Sequence, residues 1–222
     1  MKILAINGSP RGARSATLHL INAVLDGAKE NGGDIEVVNL VDLDFRFRNA
    51  CSACFQEGRC VEDDDFVELY RKIKVADGLV LGSPVYFDLV TGQMKIFVDR
   101  MADGIQCQSL SGKYGCSIAT SGDHAEQAVV TFMNHFLQML GATPVGGLGV
   151  AIGRDKKALF AAEKAAITLG RTLVEAITTK RVYPEIEAFH QRFEEKFKAV
   201  IGEKKILWPV SYEYWVDHVW VW

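Results

Sequence analysis

Short apolar runs of strand length alternate along this chain with longer stretches whose apolar residues recur at helical spacing. The runs of strand length occupy residues 2–7, 35–40, 78–83, 114–121 and 143–152. Apolar residues spaced three and four positions apart predict helices at 15–31, 65–75, 90–102, 124–140, 156–179 and 185–201. Strands that alternate with helices are typical of a parallel sheet covered on both faces.

This alternation predicts an α/β fold, a doubly wound sheet of five parallel strands with helices on both faces. The natural strand order is the flavodoxin-like 2-1-3-4-5, although periodicity alone does not give the order. The run 78–83 carries no charge, which favours a central position. Ligands of such sheets bind beyond the carboxyl ends of the strands. We therefore expect a site in the loops after the first, third and fourth strands.

Composition narrows the class of protein. The chain has 222 residues, of which 49% are hydrophobic and 24% charged, so disordered, collagen-like and coiled-coil proteins are excluded. A net charge of −3 gives no basis for nucleic acid binding. No apolar stretch approaches a membrane span, and the N-terminal segment lacks the apolar core of a signal peptide. We expect a cytoplasmic protein.

The loop after the first strand, residues 7–17, has the composition of an anion site. It holds two arginines, two glycines and three hydroxyl side chains directly before a helix, whose free N–H groups and dipole favour a phosphate. Motifs for nucleoside triphosphates and for dinucleotides are both missing. The alternative is a plain helix cap by Ser15. The candidate phosphate donors are Ser9, Ser15, Thr17 and either Arg11 or Arg14.

The loop after the third strand places Tyr86 and Phe87 just beyond a Ser-Pro pair. Either ring could stack on a planar group whose polar edge bonds to the backbone of residues 84–88. The alternative is that both rings cover the core. Next to a candidate phosphate loop, we favour the ligand interpretation.

The loop after the fourth strand, residues 120–124, offers hydroxyl and amide donors. They could stabilise negative charge on a ligand. Ser121 or Asp123 could instead cap the following helix, and the two roles are compatible. For His124 we expect a solvated or capping role rather than acid–base chemistry.

Three segments of the chain together resemble the NAD(P)H-dependent FMN reductase-like and iron–sulfur flavoprotein-like branch of the flavodoxin superfamily. They are ILAINGSPRGARSAT, CSACFQEGRC with the aspartates that follow it, and GSPVYFDLVTGQMKIFVDR. The third is the most specific, because Ser-Pro-x-Tyr-Phe, Gly-Gln-x-Lys and Asp-Arg recur in that branch at this spacing. The resemblance covers roughly residues 1–180. It implies bound FMN, with NADPH or NADH as reductant.

The resemblance also implies a set of site residues. The phosphate of FMN would be held by Ser9, Arg11, Ser15, Ala16 and Thr17. The isoalloxazine would be lined by Pro84, Val85, Tyr86 and Phe87, and its other edge approached by Ser121 and Gly122. Members are usually homodimers or homotetramers with FMN near a subunit interface. Matching the same motif are Gln93, Lys95 and Arg100, which we interpret as helix surface or interface.

Three cysteines, Cys51, Cys54 and Cys60, lie within ten residues. An iron–sulfur cluster or a closed zinc site needs four ligands, and related iron–sulfur flavoproteins carry an additional, closely spaced cysteine. A fourth ligand would have to come from Cys107 or Cys116. A redox-active pair of Cys51 and Cys54 is a second alternative. We favour thiols that pack beside the flavin without a metal.

The C-terminal part differs from the rest of the chain. All four tryptophans lie in the last fifteen residues, at positions 208, 215, 220 and 222. The tail is rich in aromatic and β-branched residues, with some alternation over 212–222. It could be an arm on a neighbouring subunit, a strand or loop packed on its own domain, or an anchor at a membrane interface. We favour the first two.

These expectations combine into one functional hypothesis. Residues 1–180 form a flavodoxin-like FMN-binding domain, and residues 181–222 form a C-terminal helix with an aromatic extension. The protein is an FMN-dependent oxidoreductase that accepts hydride from NAD(P)H and passes electrons to a quinone, a flavin or another small acceptor. The flavin carries the chemistry, so we assign no catalytic residue. The alternatives are an electron-transfer protein like flavodoxin, a flavin-binding regulatory protein and, less favoured, an iron–sulfur flavoprotein.

Overall fold

The structure, a computed structural model, describes residues 1–153 and 157–218 and contains a five-stranded parallel sheet. Its strand order is β2-β1-β3-β4-β5, which confirms the predicted flavodoxin-like arrangement. The strands are β1 (Lys2–Asn7), β2 (Asp34–Asn39), β3 (Gly78–Pro84), β4 (Tyr114–Ser121) and β5 (Thr143–Ala151).

Helices cover both faces of the sheet. They are α1 (Ala16–Lys29), α2 (Ala53–Glu57), α3 (Asp65–Val75), α4 (Gly92–Arg100), α5 (Ala102–Gln106), α6 (Glu126–Met139), α7 (Lys157–Ala161), α8 (Glu163–Thr179), α9 (Pro184–Glu203) and α10 (Pro209–His218). The prediction of a single long helix over 156–179 is wrong, because the structure has two helices in this range, α7 and α8. Residue 156 itself lies outside the described residues.

Successive side chains of the inner strands point to opposite faces and build two separate cores. Leu79 and Leu81 of β3 belong to the core beneath α3, α4 and α6, whereas Val80 belongs to the core beneath α1 and α8. Every residue of β4 is buried. Burial on both faces explains why these strands are continuous apolar runs without charge.

Helices α1 and α8 approach each other through glycine. A Cβ atom added to Gly170 would lie 1.9 Å from the carbonyl oxygen of Val24, and one added to Gly27 would lie 2.0 Å from that of Ile167. No side chain fits at either position, so the two backbones are in direct contact. This contact places α1, and the loop that precedes it, firmly against the sheet.

The aromatic tail forms a helix, not the strand or extended arm that its composition suggested. The indole of Trp215 on α10 is fully buried and donates a hydrogen bond of 2.9 Å to the carbonyl oxygen of Gln106. It also stacks on Phe197 of α9. Packing on its own domain is therefore confirmed for residues 209–218, while 219–222, with two of the tryptophans, lie outside the described residues. None of the helices described here is long and apolar enough to cross a membrane.

We expect Gly170→Ala to lower the free energy of unfolding by about 2 kcal/mol or more, because the new methyl group forces two packed helices apart. Gly202→Ala is the matched control, since it lies inside helix α9 and its Cβ would meet nothing within 4 Å. That variant should be slightly more stable than the parent. Urea denaturation measures both, and equal stability of the two variants would contradict the tight packing of α1 on α8.

Candidate functional site

A cavity of about 590 Å³ opens at the carboxyl ends of β1, β3, β4 and β5. Ten of the eleven residues implied by the resemblance line it: Ser9, Arg11, Ser15, Ala16, Thr17, Pro84, Val85, Tyr86, Ser121 and Gly122. The structure thus brings three separate loops to one place. The volume lies within the range of small-molecule and cofactor sites.

Hydrogen bonds to residues of β1 and β3 hold the first loop in place. The amide of Gly8 donates to the carbonyl oxygen of Gly82 at 2.7 Å, and the amide of Ser9 donates to the side chain of Asn7 at 3.2 Å. A single 3₁₀ turn over Gly12–Arg14 follows, and Gly12 has a φ of +50°. This conformation favours glycine and turns the chain back toward the start of α1.

The N-terminus of α1 faces the cavity with groups that can donate to an anion. Ser15 is the N-cap, and its hydroxyl oxygen accepts from the amide of Leu18 at 3.2 Å while its hydrogen remains able to donate. The amides of Ala16 and Thr17 belong to the first turn, which has no intrahelical acceptors. The plain cap and the anion site are therefore compatible. Arg11 and Arg14 are exposed at the rim.

The second loop lines the opposite end of the cavity, but only in part as expected. The amide of Val85 donates to the carbonyl oxygen of Thr120 at 2.8 Å, and paired backbone bonds between Tyr86 and Leu89 close a tight turn. Tyr86 lines the cavity with 44% of its surface exposed. Phe87 is 100% exposed, has a φ of +51° and is not among the described residues that line the cavity. The structure does not bring Phe87 to the site.

The third loop does not provide the predicted N-cap of the following helix. Helix α6 begins after Ala125, so neither Ser121 nor Asp123 is its N-cap. The hydroxyl of Ser121 donates instead to the carboxylate of Glu126 at 2.7 Å. Gly122 lines the cavity, and a Cβ there would meet nothing within 4 Å. This edge of the cavity is open backbone.

Several lining residues lie outside the three loops in which the sequence predicts a site. The carboxyl end of β5 lies beside that of β4 and contributes Ile152 and Gly153. Helix α7 adds Phe160, whose ring meets the ring of His19 edge to face. The imidazole of His19 lies 2.7 Å from the carboxylate of Glu163. The strand order 2-1-3-4-5 could have indicated the loop after β5, because β5 neighbours β4.

Arg100, expected at the surface or in an interface, is instead buried beneath the cysteine loop. Its side chain is only 4% exposed and bonds both carboxylate oxygens of Asp64, at 2.7 and 3.0 Å. The same guanidinium donates to the carbonyl oxygen of Arg46 at 2.9 Å and to the sulfur of Cys60 at 3.4 Å. Burial raises the pKa of Asp64, but the hydrogen bonds and charge of Arg100, together with hydrogen bonds from the amides of Arg46 and Phe66, outweigh burial and hold that pKa below 3.8.

None of the three cysteines of the loop is among the described residues that line the cavity at the sheet edge. They border a separate small cavity of about 40 Å³ together with Arg100. Burial, and then the charge of Asp103, raise the pKa of the Cys54 thiol to about 11. Cys51 and Cys60 are exposed. The expectation that these thiols pack beside a flavin therefore finds no support in the lining of the site.

The family follows from a comparison with known proteins. A family model described as NADPH-dependent FMN reductase matches residues 1–157, which is more than half of the chain. The chain belongs to this family. An iron–sulfur flavoprotein from Archaeoglobus fulgidus is 33% identical to this FMN reductase family member over 222 residues, covering 98% of both chains.

Two solved structures share the fold of this family member. A NAD(P)H:quinone oxidoreductase from Methanothermobacter marburgensis superposes with a TM-score of 0.63 at 17% identity, covering 78% of this chain and 96% of that one. An FMN-dependent NADH-azoreductase from Bacillus anthracis, in complex with FMN, gives 0.60 at 17% identity, covering 78% and 100%. The chain is thus an FMN-dependent oxidoreductase in the general sense of its family.

We expect Arg100→Met to lower the free energy of unfolding by about 3 kcal/mol, because it leaves the carboxylate of Asp64 buried without its cation. The double variant with Asp64→Asn should recover part of that loss, since neither partner then remains charged. Urea denaturation at neutral pH measures all variants.

Lys95→Met is the control for this prediction. Lys95 lies on the same helix and pairs with Asp99, but both side chains are about half exposed, so its loss should cost less than about 1 kcal/mol. The contribution of Asp64 should be present above pH 4 and fall as pH drops through its lowered pKa. Equal effects of the Arg100 and Lys95 variants would contradict a structural role for Arg100.

Proposed function

We propose that this chain uses FMN, bound in the cavity of about 590 Å³, to accept hydride from NADPH or NADH and to reduce a small acceptor such as a quinone or a flavin. One observation carries the proposal. At one end of this cavity of cofactor size lies the N-terminus of α1, which suits a phosphate. At the other end lies a partly apolar slot, lined by Tyr86 and by the backbone of residues 120–122.

The donor set fits FMN at both ends. The hydroxyls of Ser9 and Ser15, the first amides of α1 and the guanidinium of Arg11 or Arg14 suit a phosphate dianion. At the other end, Tyr86 offers an aromatic ring and the chain from 120 to 122 offers backbone groups. A flavin of this kind supplies hydride and electron transfer from its own ring system.

The role of this chain is therefore to bind FMN, to orient its ring system and to leave that ring system accessible to the reactants. The bond from Val85 to Thr120 fixes the start of the loop after β3 against the end of β4, where both residues line the cavity. The half-exposed ring of Tyr86 leaves the slot open to solvent, so a nicotinamide and an acceptor can reach it. No side chain of the site is assigned a proton transfer, in keeping with chemistry carried by the cofactor.

We further propose that the protein acts in the cytoplasm as a homodimer or homotetramer. Support for self-association comes from the loop after β3, where Phe87 and Leu89 present exposed apolar surface next to the site. Large exposed apolar side chains close together in one loop are suited to an interaction surface. Sedimentation of the purified protein tests this, and a monomer at micromolar concentration would contradict it.

The name of the relative from Archaeoglobus fulgidus raises the possibility of an iron–sulfur cluster. The residues here do not fit one. The loop offers three thiols where such a cluster takes four, and Arg100 donates a hydrogen bond to one of them, Cys60. Within the described ranges, no group of three or more Cys, His, Asp or Glu side chains is arranged to hold a metal ion. We derive no step through a cluster.

We expect the purified protein to show flavin absorbance that bleaches when NADPH or NADH is added anaerobically. Arg11→Ala should weaken FMN binding about tenfold or more, because it removes a charge-assisted bond to the phosphate. The same measurement on Arg14→Ala shows which of the two arginines binds the phosphate. Arg192→Ala is the control, because Arg192 is an exposed arginine on α9. Failure of the parent protein to bind FMN would overturn the proposal.

We expect substoichiometric iron and no acid-labile sulfide in protein prepared anaerobically with iron and sulfide supplied. The reason is the donor set of the cysteine loop. Cys60→Ser should leave the visible spectrum unchanged. Four irons and four sulfides per chain, lost in Cys60→Ser, would contradict this and favour the iron–sulfur alternative.

A further inference from the structure

A single histidine joins the two loops that form the ring end of the cavity. Nε2 of His124 lies 3.0 Å from the carboxylate of Asp88, in the loop after β3. Nδ1 of the same ring lies 2.6 Å from the carboxylate of Asp123, in the loop after β4. Both loops line the cavity, through Tyr86 and Gly122. The imidazole thus bridges the two loops at the protein surface, where its side chain is 69% exposed.

Both contacts are attractive only when the imidazole is protonated. A neutral ring has one N–H, so its second nitrogen would turn a lone pair toward a carboxylate. The imidazolium donates from both nitrogens. The hydrogen bond and charge of Asp123, followed by the charge of Asp88, raise the pKa of His124 above 6.5. These two carboxylates are the charged groups that act on His124 within the described residues.

Strained backbone surrounds this contact. Phe87, Asp88 and Ala125 have φ values of +51°, +64° and +66°, a region that side-chain-bearing residues rarely adopt. Each such residue costs about 1 kcal/mol or more and persists only where its surroundings hold it. Behind the tips, the bond from Val85 to Thr120 joins the loops at their base. At the tips, within the described residues, the two loops contact each other through His124 and Asp88.

We propose that protonated His124 is a positioning residue that clasps the two strained loop tips together and thereby strengthens the hold of the slot on FMN. This rests on the proposed function for the identity of the ligand. A group whose pKa is raised by its partners contributes fully below its unperturbed value and loses its contribution as pH rises through the raised pKa. The clasp therefore opens toward alkaline pH.

The first test needs no flavin. Histidine resonances of the protein are titrated by NMR, with His124→Asn identifying the signal that belongs to His124. We expect a midpoint above 6.5 in the parent and a lower one in Asp88→Asn, because one of the two carboxylates is gone. An unchanged midpoint in Asp88→Asn would overturn the clasp.

The second test measures the dissociation constant of FMN between pH 5.5 and 8.5. The FMN phosphate itself titrates near pH 6, and His19 also lines the cavity. The quantity to compare is therefore the ratio of the His124→Asn constant to that of the parent at each pH. We expect a ratio of about three at the acid end and of one at the alkaline end. His124→Arg, a permanent cation, should retain tight binding at pH 8.5.

The two tests separate the inference from its premise. A parent protein that binds no FMN at any pH would overturn the proposed function, whatever the titration of His124 shows. FMN binding with a ratio that stays constant over the pH range would overturn the clasp and leave the proposed function intact. A ratio that falls toward one, with rescue by His124→Arg, supports both.

Discussion

Two-sided burial of the central strands is the constraint on which the rest of this molecule depends. Strands β1, β3 and β4 are parallel and covered by helices above and below, so their carboxyl ends must meet along one edge. Every connection at that edge is a loop into a helix, and those loops carry the polar groups that the buried strands lack. The cavity at the sheet edge is a direct result.

A second, smaller organising contact lies away from that edge. The guanidinium of Arg100 gathers Asp64, Cys60 and the backbone at Arg46 around one buried charge. The chain entering helix α10 covers the same region, since Trp208, directly before that helix, packs on Phe55 of α2. A buried ion pair and an aromatic cover together order this long irregular loop.

Most of the sheet, and the place of the first loop and of the start of α1 in the cavity lining, were predictable, because both follow from local patterns: apolar runs, a helix cap and a cluster of donors. Features set by tertiary contact were not. The sequence places Arg100 on a helix at a position typical of the surface. Its burial depends on the ion pair with Asp64, which lies far away in the sequence. Phe87 looked like a ring for stacking, but its left-handed backbone turns it outward. The tail around Trp215 has a strand-like composition, yet packing on α9 makes it helical.

The backbone contact between α1 and α8 has a consequence for how the chain is made. Helix α1 emerges early in synthesis, with Gly27 bare on the face that will meet Gly170. That face stays uncovered on the ribosome until more than 140 further residues have been added. The loop ahead of α1 thus gains this rigid support only after α8 has been synthesised.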